Sequence, residues 1–160
     1  MESWPESVER VAVYLRDSGV EARLEEFSAG TPTAADAARA VGCEQGQIVK
    51  SLVFVCGDRF VLALVPGDRR AEPEKVARAA EAQAVRVANA AEVEQATGVG
   101  PGGVAPFPVP RVERVLIDRT LLAHDVVWFG AGSPNHVAAL APAELARVAR
   151  ATPADLVREA

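Results

Sequence analysis

The chain contains few of the residues that usually bind metal ions or form disulfides. Its 160 residues include two cysteines and two histidines, and no CxxC or HExxH motif occurs among them. We therefore predict no structural zinc site and no bound metal. Cys43 and Cys56 are interpreted as reduced, small core residues of a cytoplasmic protein, because they lack the close spacing of a redox pair.

Long apolar runs and nucleotide-binding loops are also missing from the sequence. No apolar run approaches the roughly 18 residues that span a bilayer. The N-terminus is acidic, so we expect neither a secretory signal nor a membrane partner. Without GxxxxGK[ST], and without GxGxxG at a junction from strand to helix, we predict no nucleotide-binding loop and no cofactor. The net charge of −5 argues against a protein that coats DNA or RNA nonspecifically, but not against one that grasps an RNA end.

The composition is otherwise that of an ordinary globular protein. Apolar residues make up 49% of the chain and charged residues 24%, and a single domain over 1–160 would bury roughly 70% of its unfolded surface. Helical periodicity and capping residues predict helices over 7–17, 33–42, 72–82, 89–97 and 142–150. Alternating and β-branched runs predict strands over 22–27, 47–56, 59–65, 85–88, 112–117, 126–129 and 137–140. This mixture predicts an α+β fold rather than a regular βαβ array.

The second and third predicted strands form a hairpin at the centre of the sheet. Only Gly57 and Asp58 separate them, which is the length of a two-residue turn. Closing this turn pairs Lys50 with Val65. Both faces of the first strand are apolar, so we expect the hairpin to be covered on both sides.

Lys50 is the only charged residue within the first strand of this hairpin. Fifteen of the 17 cations are arginine, and Lys75 is the only other lysine. A desolvated ammonium needs an anionic or carbonyl partner, or it loses its proton. The alternative is that Lys50 lies near the strand end and that its ammonium snorkels to solvent.

The segment 97–110 combines four glycines with four prolines in fourteen positions. Neither a helix nor an interior strand tolerates this composition, so we predict a shaped loop. Its glycines would let the backbone approach a ligand closely and point N–H groups at a carbonyl oxygen or a phosphate. The alternative is a rigid connector between neighbouring elements.

A polar segment, 130–136, joins the last two predicted strands. It contains Ser133, Asn135 and His136. Ser133 and His136 are candidates for a nucleophile pair, although no GxSxG elbow surrounds the serine. A simple polar hairpin turn is the alternative.

The order of these features resembles a known family. A capped helix leads into QIVKSLVF, a hairpin, a GxxxP loop, and a Gly-rich turn followed by LAPAEL. This arrangement resembles the YbaK/EbsC family, which is similar to the editing domain of bacterial prolyl-tRNA synthetase. The resemblance covers about residues 22–150, and its most specific elements are Ile48–Leu52 and Gly102–Pro106.

The resemblance implies a single domain with a curved, barrel-like mixed sheet flanked by helices. It also implies hydrolysis in trans of a mischarged aminoacyl-tRNA (of Pro, Cys, Ala or Ser type). The partners would be the 3′ end of the tRNA and a synthetase that lends affinity. The implied catalytic residues are Lys50, Gly102 and Gly103. The implied substrate-binding residues are Ser51, Val104, Pro106, Gly132, Ser133 and His136.

Two positions depart from the family pattern. Ser51 follows the lysine where related branches carry Thr or Asn, and Gly130 stands where some alanine-directed members carry histidine. The amino-acid specificity therefore does not carry over. Two alternative functions stay open: a module that senses an aminoacyl group or a nucleotide without turnover, and a hydrolase that uses Ser133 and His136.

Overall fold

An eight-stranded mixed sheet organises the molecule. The computed structural model describes residues 4–27 and 33–159. The strands are β1 (Arg23–Glu26), β2 (Ile48–Cys56), β3 (Arg59–Pro66), β4 (Arg86–Val87), β5 (Val112–Asp118), β6 (Val127–Ser133), β7 (His136–Leu140) and β8 (Ala151–Ala154). The helices are α1 (Glu6–Asp17), α2 (Ala34–Val41), α3 (Pro73–Ala79), α4 (Ala90–Thr97) and α5 (Pro142–Ala149).

The β2–β3 hairpin lies at the centre of this sheet. The strand order is β1-β7-β6-β2-β3-β5-β8, and β4 pairs separately with β2. β2 and β3 are antiparallel, with Cys56 opposite Arg59 and Lys50 opposite Val65, so the predicted turn and register are confirmed. β6 runs parallel to β2, and β5 runs parallel to β3. The α+β fold with a mixed sheet flanked by helices is therefore confirmed.

Both faces of the hairpin are buried, as its apolar alternation predicts. On one face Val49 and Val53 pack in a cluster with residues of α1, α4 and α5. On the other face Phe54 packs with residues of α3, and Ile48 packs with residues of α2. Burying one such side chain contributes about 1.5–3 kcal/mol to the stability of the fold. The hairpin is therefore a stable part of the molecule, and the polar residues that it carries have a fixed backbone.

The helix ends follow the capping residues of the sequence. Thr33 caps α2 by accepting a hydrogen bond from the Asp36 amide, and Gly42 ends the helix in the left-handed conformation. Asn89 and Glu92 form a reciprocal capping box at the start of α4. Among the described helices, none is long and apolar enough to cross a bilayer.

The predicted connector 130–136 between the strands now described as β6 and β7 is wrong, because it is too long. β6 does not end at Phe129 but continues to Ser133, so that only Pro134 and Asn135 separate it from β7. Pairing with β7 resumes at Ser133 and His136 after a register shift. The glycines in this segment therefore form a bulged strand end, which glycine composition alone does not distinguish from a loop.

Three further differences concern short elements. α3 ends at Ala79 instead of residue 82, since Glu81 has a positive φ of 57° that a helix cannot contain. β8 was not predicted, because its sequence ATPA contains a proline that only an edge strand tolerates. Two 3₁₀ turns, Gln45–Gln47 and Arg119–Ala123, were also not predicted.

Candidate functional site

An interruption in the pairing of β2 opens a cleft in the sheet. Along one edge, β2 pairs with β6 through Ile48 and Val49 and with β4 through Phe54 and Val55. Within the described residues, no strand pairs with the intervening Lys50–Val53 on this edge. The resulting cleft has a volume of about 350 Å³, which is at the lower end for small-molecule sites.

Four parts of the chain form the walls of the cleft. They are the start of α2, the first half of β2, the Gly-rich loop around Gly102, and the β6–β7 hairpin. The described chain contains no group of three or more His, Cys, Asp or Glu side chains that could hold a metal ion. The walls themselves present one ammonium, hydroxyls, an imidazole and backbone amides.

Lys50 is half-buried in the β2 wall, and its ammonium is held by a backbone carbonyl. Its Nζ donates to the Arg69 carbonyl oxygen at 2.6 Å. Burial lowers the pKa of Lys50 below its ordinary value of 10.5, the nearby Arg70 lowers it further, and Asp68 opposes this effect. The sequence predicted an anionic or a carbonyl partner for a desolvated ammonium, and the partner is a carbonyl. The alternative, in which the ammonium snorkels to solvent, is not observed.

Ser51 follows on the opposite face of the strand and also lines the cleft. Its Oγ is buried and has no hydrogen-bond partner among the described residues. A buried hydroxyl without a partner costs about 1–3 kcal/mol, which a ligand with a matching polar atom would recover. The hydroxyl is therefore a buried polar group that the described residues leave without a partner.

The Gly-rich loop brings backbone to the cleft. Gly102 and Val104 line it, and Gly102 has a φ of +91° with open space around the position of a Cβ. The Gly103 amide donates to the Gly100 carbonyl at 3.3 Å, which is a long bond. Gly103 itself is buried against the backbone of Ser133, with the Cβ position 3.1 Å from the Ser133 Cα.

The end of the β6–β7 hairpin holds three polar side chains in a row. Ser133 Oγ lies 2.5 Å from His136 Nδ1, and His136 Nε2 lies 2.8 Å from Glu26 Oε2. Ser133 Oγ also accepts a hydrogen bond from the Asn135 amide at 3.0 Å. His136 is only 3% exposed, and its Nδ1 is hydrogen-bonded to the Ser133 hydroxyl. Its Nε2 forms no hydrogen bond with the described residues, although the Glu26 carboxylate is close.

Six of the nine predicted site residues come together in the cleft: Lys50, Ser51, Gly102, Val104, Ser133 and His136. Gly103, Pro106 and Gly132 are buried behind the lining. Gly132 faces α1, where its carbonyl accepts the Ser7 hydroxyl at 2.6 Å. The catalytic and ligand-binding roles of all nine residues stay predictions.

Several residues of the cleft were not predicted from the sequence. The apolar lining comes from Ala37, Ile48, Leu52, Trp128, Phe129 and Val137. Of these residues, only Ile48 and Leu52 were indicated by the sequence, because they alternate with Lys50 on one face of the strand. Arg69 was missed because it contributes a backbone carbonyl, and Glu26 was missed because its pairing with His136 depends on β1 joining β7.

Comparison with protein families gives a match over most of the described chain. The model of the aminoacyl-tRNA editing domain family matches residues 28–148. The proline–tRNA ligase of Bacillus licheniformis is 30% identical over 138 residues, which are 84% of this chain and 24% of the ligase. The chain thus spans about a quarter, or less, of the length of the proline–tRNA ligases that it matches.

Two proteins of similar size also match. The uncharacterized protein YwhH of Bacillus subtilis is 30% identical over 140 residues, covering 87% of this chain and 88% of YwhH. A crystal structure of a candidate trans-editing enzyme for prolyl tRNA synthetase superimposes with a TM-score of 0.91 at 37% identity. That superposition covers 98% of this chain and 100% of the other.

Proposed function

Because the chain belongs to the aminoacyl-tRNA editing domain family, we propose that it hydrolyses the ester between an amino acid and the 3′-terminal ribose of a mischarged tRNA. Water adds to the carbonyl carbon, the bond from this carbon to the ribose oxygen breaks, and the oxygen leaves with a proton. The products are the free amino acid and an intact tRNA. The reaction takes place in trans, on a tRNA that was charged elsewhere.

The observation that carries this proposal is the convergence of Lys50, Ser51 and Gly102 on one cleft. An ammonium, an unpaired hydroxyl and a glycine backbone suit an ester with a phosphate nearby. The volume of about 350 Å³ suits a small aminoacyl group rather than a nucleic-acid helix. The body of the tRNA would remain outside.

Lys50 is proposed to anchor the terminal phosphate or the aminoacyl carbonyl. An ammonium has three hydrogens, and the Arg69 carbonyl accepts one of them, so two remain for a ligand. Its lowered pKa indicates that one carbonyl does not fully compensate burial of the charge. An incoming anion supplies the missing interaction and keeps the ammonium protonated.

The Gly-rich loop is proposed to stabilise the negative charge that develops on the carbonyl oxygen. Gly102 lines the cleft, and its amide is proposed as the first donor. The Gly103 amide would be the second, once its long hydrogen bond to the Gly100 carbonyl breaks. One such donor is typically worth about 2.7–4 kcal/mol in the transition state. The ester is already activated, so these groups and the neighbouring ribose hydroxyl, which helps to activate water, suffice without a protein nucleophile.

The remaining predicted residues are proposed to shape the amino-acid pocket. Ser51, Val104, Ser133 and His136 line it, whereas Pro106 and Gly132 support the lining from behind. A small side chain of Pro, Ala, Cys or Ser type fits this size. Acidic residues outnumber basic ones by 22 to 17, so affinity for tRNA alone should be weak and depend little on salt. A synthetase is therefore proposed as a partner that supplies affinity.

The direct test is deacylation of Pro-, Ala-, Cys- and Ser-charged tRNA by the parent and two lysine variants. Lys50→Ala should lower kcat/KM by about 100-fold. Lys75→Ala is the matched control, because Lys75 is also part-buried and donates to a carbonyl, that of Val157, at 2.8 Å. It should stay within about threefold of the parent.

Three outcomes would contradict the proposal. Equal rates for Lys50→Ala and the parent would remove Lys50 from the mechanism. Binding of charged tRNA without release of the amino acid would favour the sensing module. Equal losses in the Lys50 and Lys75 variants would mean that the effect reflects stability rather than chemistry.

One observation favours a second candidate function, a Ser/His hydrolase. The Glu26 carboxylate lies 2.8 Å from Nε2 of His136 without hydrogen-bond geometry. Its negative charge favours a proton on Nε2, which would leave Nδ1 free to accept the Ser133 hydrogen. Ser133 Oγ would then attack the carbonyl and form an acyl-enzyme that water hydrolyses. Ser133→Ala would abolish such activity, and a fluorophosphonate would label Ser133. The editing mechanism instead predicts a mild effect and no labelling.

A further inference from the structure

Helix α1 contacts the glycine-lined wall of the cleft, although it lies outside residues 28–148 that match the family. The Ser7 hydroxyl donates to the Gly132 carbonyl at 2.6 Å. A Cβ at Gly132 would lie 2.6 Å from the backbone oxygen of Ser7, so the helix and the end of β6 meet backbone to backbone. Val8, the next residue, is fully buried at this contact.

The same end of β6 also supports the Gly-rich loop. A Cβ at Gly130 would lie 2.7 Å from the Val104 carbonyl oxygen, and one at Gly103 would lie 3.1 Å from the Ser133 Cα. Gly132 provides the equally close contact with α1. The loop therefore contacts β6 backbone to backbone, and β6 contacts α1 through backbone atoms and through the Ser7 hydroxyl.

A second contact joins α1 to the far end of the loop. The Tyr14 ring stacks on Phe107 with centroids 4.8 Å apart and an interplanar angle of 18°. Phe107 in turn meets Phe129 of β6 edge to face at 5.6 Å. The Tyr14 hydroxyl donates to the Val148 carbonyl of α5 at 2.6 Å, which fixes the ring in place.

From these contacts we propose that α1 is a positioning element that sets the distance across the cleft between the loop amides and Lys50. Ser7 holds the end of β6 and Tyr14 holds the loop, while β6 is itself anchored on β2 beside Lys50. Neither Ser7 nor Tyr14 lines the cleft, so both are positioning residues. The catalytic consequence rests on the proposed function, since misplacement of a reacting group by about 1 Å can cost about 100-fold in rate.

The test compares Ser7, in the first turn of α1, with Ser18, the residue that caps its C-terminal end. Ser7→Ala removes the hydroxyl that binds Gly132, whereas Ser18→Ala removes one that donates to the Tyr14 carbonyl at 2.7 Å. We expect about tenfold lower kcat for Ser7→Ala with little change in KM, because alignment acts mainly in the transition state. Ser18→Ala should stay within about twofold, and Ser7→Thr, which keeps the hydroxyl, should restore most of the rate.

Hydrogen exchange of the backbone amides gives a readout that needs no activity. Ser7→Ala should accelerate exchange in the segments 100–107 and 130–135, and Ser18→Ala should not. If the parent deacylates no charged tRNA, the proposed function fails, yet the exchange experiment still decides whether α1 positions the loop. Equal exchange and equal kcat in the two serine variants would overturn the inference.

A pair of variants at Tyr14 keeps the test decisive if Ser7→Ala fails to fold. Tyr14→Phe retains the stack on Phe107 and loses only the bond to Val148, whereas Tyr14→Leu loses the stack as well. Per folded molecule, kcat should fall several-fold more for Tyr14→Leu than for Tyr14→Phe. Equal kcat values for the two folded variants would mean that α1 only stabilises the fold, which would overturn the inference.

Discussion

The β2 wall of the cleft offers side chains, whereas the wall formed by the Gly-rich loop and β6 offers backbone. In the first wall, alternation along a fully paired hairpin sends Lys50 and Ser51 to opposite faces of one strand. In the second wall, glycines allow backbone atoms to touch, as Gly130 does at Val104. The β2 wall therefore contributes a charged side chain, and the other wall contributes closely packed backbone.

This difference predicts two kinds of response to substitution. A change at Lys50 alters the charge in the cleft while the hairpin, paired along its length with β3, keeps its position. A change at Gly130 cannot be accommodated without moving the backbone of Val104. We therefore expect the first wall to control the pH dependence and the second to control the geometry of the transition state.

The largest expected effect is the loss of activity at alkaline pH. Burial lowers the pKa of Lys50 below 10.5, so the ammonium loses its proton at a lower pH than an exposed lysine would. Above this lowered pKa the enzymatic rate should fall about tenfold per pH unit, after the spontaneous hydrolysis of the ester has been subtracted. Lys50→Arg, which keeps its charge, should give a flatter profile from pH 7 to 10, and parallel profiles would contradict the role of the charge.

The same pKa shift has a consequence for stability. Between the lowered folded pKa and 10.5, the unfolded chain binds a proton that the folded chain has released. The contribution of Lys50 to the free energy of unfolding therefore increases with pH across this window. Urea titrations of the parent and Lys50→Met at pH 7 and pH 10 would isolate it, since the methionine variant lacks this increase.

The next largest effect is expected from Gly130→Ala in the backbone wall. The new methyl group would lie 2.7 Å from the Val104 carbonyl oxygen, so the loop must move away from β6. We expect about 1–3 kcal/mol of destabilisation and about tenfold lower kcat. Gly100→Ala is the control, because a Cβ at Gly100 meets nothing within 4 Å. If both variants behave alike, close contact between loop and strand is not what aligns the cleft.

Gly102→Ala should have a smaller effect with a different cause. A Cβ at Gly102 has open space, but the φ of +91° is strained for any residue with a side chain. The expected cost is about 1–2 kcal/mol, with a several-fold loss of kcat if the loop relaxes. Unfolding and deacylation should be measured for three variants. Gly130→Ala tests the steric cause, Gly102→Ala tests the conformational cause, and Gly100→Ala introduces neither. A neutral Gly102→Ala would show that this φ is not required.

The side-chain wall could be predicted from the sequence, because its determinants are local. Turn length and alternation determine the β2–β3 register, and the single charge within β2 marked Lys50. The capped helices α2 and α4 were predicted for the same reason, since their signals lie within a few residues. Local patterns thus provided the fold class, Lys50, the Gly-rich loop and the pair Ser133 and His136. The family resemblance added Ser51 and Val104 as binding residues.

The backbone wall could be predicted only in part, since its geometry depends on residues far apart in the chain. The cleft exists because β6 and β4 pair with β2 at positions that leave a gap, and no local pattern encodes that gap. The close contact of Gly132 with Ser7 bridges opposite ends of the sequence. The partner of Lys50 is a main-chain carbonyl of Arg69, which side-chain patterns cannot reveal.

The smallest effect is expected outside both walls, where β4 meets α4. The hydrogen bond from Arg86, followed by that from the Asn89 amide, lowers the pKa of Glu92 from 4.5 to about 2. Since the folded pKa lies below the unfolded one, this carboxylate stabilises the fold above pH 4.5 and loses the effect as the pH falls toward 2.

Glu92→Gln should therefore be less stable than the parent at pH 7, with a difference that narrows between pH 4.5 and about 2. Urea midpoints at several pH values would measure this, and deacylation at pH 7 should be unchanged. β4 closes the far end of the gap in β2. If Glu92→Gln loses activity while the protein stays folded, this end of the gap belongs to the catalytic machinery. A cleft with one wall that supplies charge and one that supplies backbone geometry would then be an incomplete description.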